Sequence, residues 1–328
     1  MDKCKNSCCI GWQIVVDEVT ESKYGNLKTE LGDILRESVI CGDDGERCFK
    51  TDCRGRCTHL DGSGLCRIIS DLSESYIPDI CDRHPRYYNL YPCVKEGGLG
   101  LSCEGAVDIF LKKPLAELMA RSISEKERLT EEDFKISMYS DECVEKMLDI
   151  RERIFDFVLS ESFIASVWLI LNFGDKVIHA SDLSDDFEAV FYEIFDVEAE
   201  SCASRGALSQ LISEITSALE LNSEWLEKVL DNVNKNIHNL LSDLEVEKDA
   251  GCDELGRKLL FYFLHRYMLG GLDSGTVGAR LKFSACLCVM LMCAVKSSGV
   301  VADVIRQFSS SVEYSEENIE ALIELMYQ

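Results

Sequence analysis

The segment Cys4-Lys5-Asn6-Ser7-Cys8-Cys9 opens a region whose cysteines decide how the first third of the chain can fold. Thiolates at high density either pair as disulfides or bind a soft metal centre. The sequence therefore predicts a small irregular domain over residues 1–114, ordered by cysteine cross-links or by metal. Eleven of the 17 cysteines in this 328-residue chain lie within its first 103 residues: Cys4, Cys8, Cys9, Cys41, Cys48, Cys53, Cys57, Cys66, Cys81, Cys93 and Cys103.

The spacing of these cysteines bears on which metal they would bind. An iron–sulfur cluster needs several thiolates at one point, usually including a tight loop, whereas structural zinc is often held by two short-spaced pairs. Paired Cys-x2-Cys knuckles are absent from the chain. The spacing favours an iron–sulfur cluster, of the 4Fe-4S type, over zinc, with a disulfide scaffold third. The predicted metal ligands are Cys4, Cys8, Cys9, Cys57, Cys66, Cys81 and Cys103.

Charge and hydropathy restrict the compartment and the partners. The net charge is −25, and residues 115–328 contribute −21 of it. Such a chain repels nucleic acid and anionic membranes, so neither is expected as a partner. The apolar run Phe283–Val295 is shorter than a membrane span and predicts a buried core helix. With no apolar leader at Met1, we expect a cytoplasmic protein, where cysteine clusters more often bind metal than form disulfides.

The remainder of the chain, residues 115–328, predicts an acidic α-helical domain, so the fold class is mainly α. One long helix is predicted from Cys143 to Leu171 and ended by Gly174, whereas the only strand-like segment is Ile10–Val16. Apolar residues at steps of three and four predict the other helices: 185–195, 208–219, 223–244, 254–269, 277–295 and 316–326.

The cysteine region resembles the opening of the flagellin lysine-N-methylase family. The resemblance rests on an ordered set of short motifs rather than on any one of them. They are Cys4-x3-Cys8-Cys9-x-Gly11-Trp12-x-Ile14-x-x-Asp17, Cys57-x-x-Leu60, Gly64-Leu65-Cys66-x-Ile68, Cys81-x-x-His84-Pro85-Arg86 and Leu101-Ser102-Cys103-Glu104. The resemblance implies methyl transfer from S-adenosylmethionine to lysine side chains of flagellin, and an iron–sulfur centre held by the cysteines.

The chain departs from the family pattern in three places. The family usually has a further cysteine upstream of Cys4, and this sequence begins too late to show it, which could remove a ligand. His84 stands where an aromatic residue is usual before Pro-Arg, which could place an imidazole beside the metal. The stretch with Cys41, Cys48 and Cys53 is additional, and these three thiols could bind a second metal.

Methylation of lysine requires a neutral amine aligned with a sulfonium methyl group. The Cys-x3-Cys-x2-Cys loop of radical S-adenosylmethionine enzymes is absent, because position 11 is glycine. Arg86 could pair with the carboxylate of the donor, although it could equally brace the cysteine region. Tyr87, beside Arg86, could line a cationic methyl-transfer pocket, although core tyrosines are more common. The sequence assigns no catalytic residue.

Two other functions are compatible with the same residues. One is a non-enzymatic metal-binding or metal-delivery protein, which would hold a labile metal and no methyl donor. The other is a helical adaptor that binds flagellin without modifying it. Binding of S-adenosylmethionine separates the methylase from both.

Overall fold

The computed structural model describes residues 7–42, 45–91, 94–119, 141–178, 205–247, 249–272 and 275–327. These residues are mainly helical, as the sequence predicts. They form two compact units: one comprises the described residues of Met1–Tyr87 and Leu99–Asp108, the other those of Tyr88–Gly98 and Ile109–Gln328. The predicted helix over 185–195 and the predicted ligand Cys4 lie outside the described residues.

The first unit is built from short elements around a hydrophobic core. The strands β1 and β2 pair antiparallel, with Ile40 opposite Cys48. Tyr24 is fully buried, stacks on Phe49 and donates its hydroxyl to the carbonyl of Tyr76 at 2.6 Å. The elements are α1 (Glu18–Asn26), α2 (Glu30–Ser38), β1 (Val39–Cys41), β2 (Arg47–Phe49), α3 (Arg67–Asp71) and α4 (Asp79–Arg83).

This core corrects two expectations from the sequence. The unit is less irregular than predicted, because α1 and α2 are regular helices with side-chain N-caps at Asp17 and Thr29. The segment Ile10–Val16 is not a strand: Ile10 and Val15 form only isolated bridges, with Arg56 and Cys48. Its alternation nevertheless reflects burial, since Ile14 and Val16 face the core. Apolar packing thus contributes to the order that cross-links alone were expected to supply.

The second unit is a helical assembly around one apolar helix. Val277–Ser298 is buried along the whole predicted run Phe283–Val295 and packs against Phe163–Val177, Glu224–Glu245 and Ala250–Tyr267. The strands β3 (Arg86–Tyr91) and β4 (Val94–Leu99), which pair with each other, and the helix α5 (Glu104–Lys112) contain residues of both units. The other helices of the second unit are α6 (Leu115–Met119), α7 (Asp141–Ser160), α8 (Phe163–Val177), α9 (Arg205–Ala218), α10 (Glu224–Glu245), α11 (Ala250–Tyr267), α12 (Val277–Ser298), α13 (Val301–Phe308) and α14 (Glu316–Leu325).

The long helix predicted from Cys143 to Leu171 and ended by Gly174 is wrong in two respects, the first being that it is two helices. Ser162 separates α7 from α8 and caps α8 by accepting the backbone N–H of Ala165. Gly174 does not end the second helix but lies within it. A Cβ at Gly174 would lie 2.9 Å from the carbonyl oxygen of Gly278, so this glycine permits close approach of α8 and α12.

One further feature of the second unit, a π-helical segment, was not predicted, whereas the buried core helix at Phe283–Val295 was. A π-helical segment, Ser309–Glu313, follows α13 and buries the Glu313 carboxylate beside Arg266. In the described part of the chain, α12 alone is long and apolar enough to cross a membrane. Since 89% of its most apolar window is buried inside the protein, it has the character of a core helix.

Candidate metal centre

Backbone pairing holds the Cys8–Cys9 turn next to Cys57. Ser7–Cys9 forms one turn of 3-10 helix, and the carbonyl of Cys9 accepts the N–H of Cys57 at 2.8 Å. Two residues further, the N–H of Gly11 donates to the carbonyl of Gly55 at 2.9 Å. Gly11 and Gly55 both have positive φ, which favours glycine at this crossing. The Gly11 of the sequence motif therefore has a conformational role beside the cysteines.

A second turn positions Cys66. Asp61 accepts the backbone N–H groups of Ser63 and Leu65 through Oδ1, and Gly64 adopts positive φ. The turn closes with a bridge between Leu60 and Cys66. Cys66 then stands at the N-terminal boundary of α3. The motif Gly64-Leu65-Cys66 is thus a tight turn that returns the chain toward Cys57.

Cys81 is delivered by α4, whose start is tied to α1. Oδ1 of Asp17 accepts the N–H of Thr20 at 2.8 Å, and Oδ2 accepts the N–H of Asp79 at 2.9 Å. Asp17 therefore caps α1 and also receives the first N–H of α4. This fixes the helical turn that carries Cys81, and it explains why an aspartate belongs to the cysteine motif.

The electrostatics of the thiols show that five predicted ligands share one environment. Burial, and then the charges of Cys66 and Cys8, raise the pKa of Cys57 to about 11 against a hydrogen bond from the backbone of His59. Burial also raises the pKa of Cys81 far above its ordinary value, with Cys8, Cys57 and Cys66 adding to the shift. Thiolates gathered in this way repel one another, so a bound cation would stabilise the group.

Cys8 and Cys9 form a hydrogen-bonded pair of thiols. Their Sγ atoms are 3.8 Å apart and share a hydrogen bond, which lowers the pKa of Cys8 and raises that of Cys9. The separation is far longer than a disulfide bond. Burial and the carboxylate of Glu104 oppose the lowering of the Cys8 pKa.

The proximity of these thiols does not amount to a formed metal site. Within the described ranges, no three His, Cys, Asp or Glu side chains converge on a common position for a metal ion. Of the predicted ligands, five lie close enough for their charges to act on one another: Cys8, Cys9, Cys57, Cys66 and Cys81. Cys103 belongs to the same unit and directly precedes Glu104, the carboxylate that acts on Cys8.

Arg86 and Tyr87, the residues predicted to contact the methyl donor, are the first two residues of β3. Arg86, the first residue of β3, is exposed and donates to the carbonyl of Asp82 at 3.0 Å, whereas Tyr87 is half-buried. Cys41 and Cys48 lie on β1 and β2 rather than in a polar loop, and Cys53 is exposed. The proposed second metal site at these three cysteines stays a prediction.

One residue of the site, Tyr24, was not singled out from the sequence, whereas His84 was. Tyr24 lies near the thiols: burial and the charges of Cys81 and Cys66 raise its pKa well above the ordinary value. His84 stands edge-on to Trp12, with ring centroids 6.2 Å apart, and burial lowers its pKa despite the charge of Glu104. The sequence around Tyr24 does not distinguish a core tyrosine from one beside a metal.

Comparison with known proteins gives similarity over a part of the chain. No protein-family model and no solved structure matches it. A stretch of 116 residues, 34% of the chain, is 27% identical to the lysine-N-methylases of Salmonella typhimurium and Salmonella choleraesuis. It is 25% identical over 116 residues to the flagellar biosynthetic protein FliU of Salmonella muenchen, covering 69% of that protein. The similarity spans only 29% of the length of the two lysine-N-methylases.

Proposed function

We propose that this chain is a cytoplasmic, S-adenosylmethionine-dependent protein-lysine N-methyltransferase that acts on flagellin. The observation that carries the proposal is the partial similarity to proteins named lysine-N-methylase and flagellar biosynthetic protein. The gathering of thiols at the motif cysteines of the first unit supports it. The net charge of −25 suits a substrate that presents lysines, because an acidic surface attracts a basic partner.

The proposed metal group is an iron–sulfur cluster held by cysteines of the first unit. The support for such a group is that buried thiols whose charges act on one another become favourable when a cation neutralises them, although the described side chains form no three-ligand site. The ligands would come from Cys8, Cys9, Cys57, Cys66 and Cys81, with Cys4 and Cys103 as further donors. When bound, the cluster would cross-link the first unit. It would need no redox role, because methyl transfer to an amine involves no oxidation or reduction.

The reaction is a direct displacement. The lone pair of the neutral lysine nitrogen forms a bond to the methyl carbon, and the carbon–sulfur bond breaks with its electron pair staying on sulfur. The products are S-adenosylhomocysteine and a protonated N-methyllysine side chain, which loses its proton to solvent or to a base. The protein must therefore bind the donor and align a deprotonated amine with it. The exposed guanidinium of Arg86 is a proposed contact for the donor carboxylate, with Tyr87 beside it.

Anaerobically purified protein tests the metal group. We expect iron and sulfide in similar amounts and a broad visible charge-transfer band. Cys57→Ala and Cys81→Ala should each lower the iron content, whereas Cys252→Ala, which removes a cysteine of the second unit, should not. Zinc without sulfide, held by the same cysteines, would replace the cluster with a structural zinc site.

Incubation with flagellin and methyl-labelled S-adenosylmethionine tests the activity. Label on flagellin lysines is the expected result, and its absence with metal-loaded protein would remove the methylase proposal. Retained metal without donor binding would favour the alternative of a non-enzymatic metal-binding protein. Flagellin binding that is independent of the donor would favour the adaptor. Arg86→Gln, compared with the exposed Arg83→Gln on α4, tests the proposed donor contact.

A further inference from the structure

Cys8 and Cys9 are consecutive in the sequence, and the fold brings their sulfur atoms together. On an extended chain, neighbouring side chains point to opposite sides. The single 3-10 turn Ser7–Cys9 instead places the two Sγ atoms 3.8 Å apart, where one thiol donates a hydrogen bond to the other. Because the sulfurs of a disulfide are about 2.05 Å apart, a gap of only about 1.8 Å separates this pair from a bond.

The backbone keeps the pair in place, and both thiols are accessible. The carbonyl of Cys9 accepts the N–H of Cys57 at 2.8 Å, and the N–H of Gly11 donates to the carbonyl of Gly55 at 2.9 Å. Cys8 and Cys9 are both half-buried, whereas Cys57 is buried. Small thiols and disulfides in solution can therefore reach the pair while the anchored turn holds its two members side by side.

A bond between these two residues would be easily reduced. Consecutive Cα atoms are about 3.8 Å apart across a trans peptide, whereas the Cα atoms of disulfide-bonded residues are usually about 4.4–6.8 Å apart. A bond between Cys8 and Cys9 is therefore strained, and strained disulfides are the labile and regulatory ones. In the cytoplasm proposed for this protein, disulfides that do form are usually transient or redox-sensing.

We propose that Cys8 and Cys9 form a reversible thiol–disulfide switch that controls whether these two sulfurs are available to a metal. A thiolate is a metal ligand, but a sulfur that is bonded to its neighbour has no thiolate to offer. The oxidised pair therefore removes two donors from the group of cysteines in the first unit. The effect on metal rests on the proposed metal group, whereas the pairing of the two thiols does not.

The oxidant in this proposal is a small-molecule disulfide such as glutathione disulfide. One thiol of the pair loses its proton and attacks a sulfur of that disulfide, whose S–S bond breaks with the electron pair leaving on the other sulfur. The second thiol of the pair then attacks the protein sulfur of the mixed disulfide and releases the second small thiolate. The two protons of Cys8 and Cys9 end on the two small thiols, so the pair is oxidised and the small disulfide is reduced.

Peptide mapping of the full chain tests the pairing. The protein is equilibrated in glutathione buffers of rising glutathione-disulfide content, treated with N-ethylmaleimide and digested with trypsin. The tryptic peptide 6–23 contains Cys8 and Cys9 and no other cysteine. In oxidising buffers we expect this peptide to lack the blocking group and to be lighter than the dithiol by two hydrogen atoms. Excess reduced glutathione should return it to the doubly blocked form.

Two results of the mapping would overturn the switch. One is a main product in which Cys8 or Cys9 is joined to glutathione or to a distant cysteine instead of to its neighbour. The other is a bond that persists in excess glutathione, because that resistance marks a structural disulfide.

Two variants sharpen the mapping. Cys9→Ser should leave Cys8 joined to glutathione, and an intramolecular bond at Cys8 in this variant would contradict the pairing. Cys53→Ala, which removes an exposed thiol of the same unit, should leave oxidation of the peptide unchanged.

Titration with Cd²⁺ measures the effect on metal binding, because this soft ion binds thiolates without added sulfide or reductant. Protein oxidised at Cys8 and Cys9 should bind Cd²⁺ at least roughly tenfold more weakly than the reduced protein, and reduction should restore the affinity. Equal affinity of the two forms would overturn control of the metal by the pair. If the disulfide forms as expected and the reduced protein binds no Cd²⁺, the proposed metal group alone is refuted. Loss of methylation with the switch intact would count against the proposed function alone.

Discussion

Asp17 accepts the backbone N–H of Asp79, a residue 62 positions later, at 2.9 Å, while its other carboxylate oxygen caps α1 through Thr20. One side chain therefore fixes the starts of two helices in the cysteine-rich unit. Because α4 carries Cys81, the position of a proposed metal ligand depends on a residue that itself binds no metal. This relationship makes Asp17 a positioning residue.

Asp17→Ala should destabilise the protein and reduce its metal content. Loss of an N-cap costs about 1 kcal/mol, and the unpaired N–H of Asp79 adds about 1 kcal/mol more. Urea unfolding and iron analysis measure the two effects. Asp33→Ala, which removes an exposed carboxylate from a surface ion pair with Arg36, is the matched control and should change neither. Full iron content in Asp17→Ala would contradict the positioning role.

The hydrogen bonds to the Asp17 carboxylate predict that the protein loses stability at low pH. Burial raises the pKa of Asp17, but the hydrogen bonds from Asp79 and Thr20 outweigh it and leave the pKa below its ordinary value. The stabilisation is therefore present above the unfolded pKa of about 4 and is lost as pH falls through the folded value. Unfolding free energy should decline below about pH 4, with a shallower slope in Asp17→Asn. Equal slopes in the two proteins would show that Asp17 is not the group responsible.

The sequence predicts most helices of the second unit because their apolar faces repeat along a regular helix. It does not predict the division at Ser162, since a serine within an apolar pattern is compatible with a continuous helix as well as with an N-cap. Gly174 illustrates a related limit: a glycine that ends a helix and one that permits helix contact look alike in sequence. Only the position of α12 distinguishes them.

For the candidate site, too, the sequence predicts local features but not contacts between distant segments. Cysteine spacing predicts which thiols belong together, because short loops and turns restrict their separation. The pairing of Arg151 with Glu96 and of Arg266 with Glu313 depends on contacts between distant segments. No local pattern contains that information.

The buried pair of Arg151 and Glu96 predicts a large effect of single substitution. Nη1 of Arg151 donates to Oε2 of Glu96 at 2.8 Å, and Nη2 donates a second hydrogen bond to Oε1. The side chain of Arg151 is completely buried. Arg151→Met should cost about 3–5 kcal/mol, because it leaves a buried carboxylate unpaired. The double variant Arg151→Met, Glu96→Leu should recover a substantial part of that loss in a double-mutant cycle. A cost in the single variant no larger than that of an exposed ion pair would contradict this account.

Two glycines in helices should respond to alanine in opposite directions. A Cβ at Gly278 would lie 2.7 Å from backbone atoms of Ile178, so Gly278→Ala should destabilise by about 1–3 kcal/mol through overpacking. Gly25 in α1 has no atom within 4 Å of an added Cβ. Gly25→Ala should therefore stabilise by about 0.5–1 kcal/mol, because alanine restricts the unfolded chain. Thermal unfolding of both variants measures the signs, and equal signs would refute the packing argument.

The buried thiols of α12 predict an alkaline limit to stability. Burial raises the pKa of Cys286 and of Cys293 to about 12, with Lys282 and Lys296 acting weakly in the opposite direction. A raised folded pKa gives stability that is complete below the unfolded value, near 9.0, and is lost as pH rises through the folded value. Between these limits, each thiol should lower the unfolding free energy by about 1.4 kcal/mol per pH unit. The single variant Cys286→Ala should reduce that slope by about 1.4 kcal/mol per pH unit, and the double variant Cys286→Ala, Cys293→Ala by twice as much. Urea unfolding between pH 8 and about 11 measures these slopes. Slopes that do not change in either variant would mean that these thiols ionise without unfolding the helix.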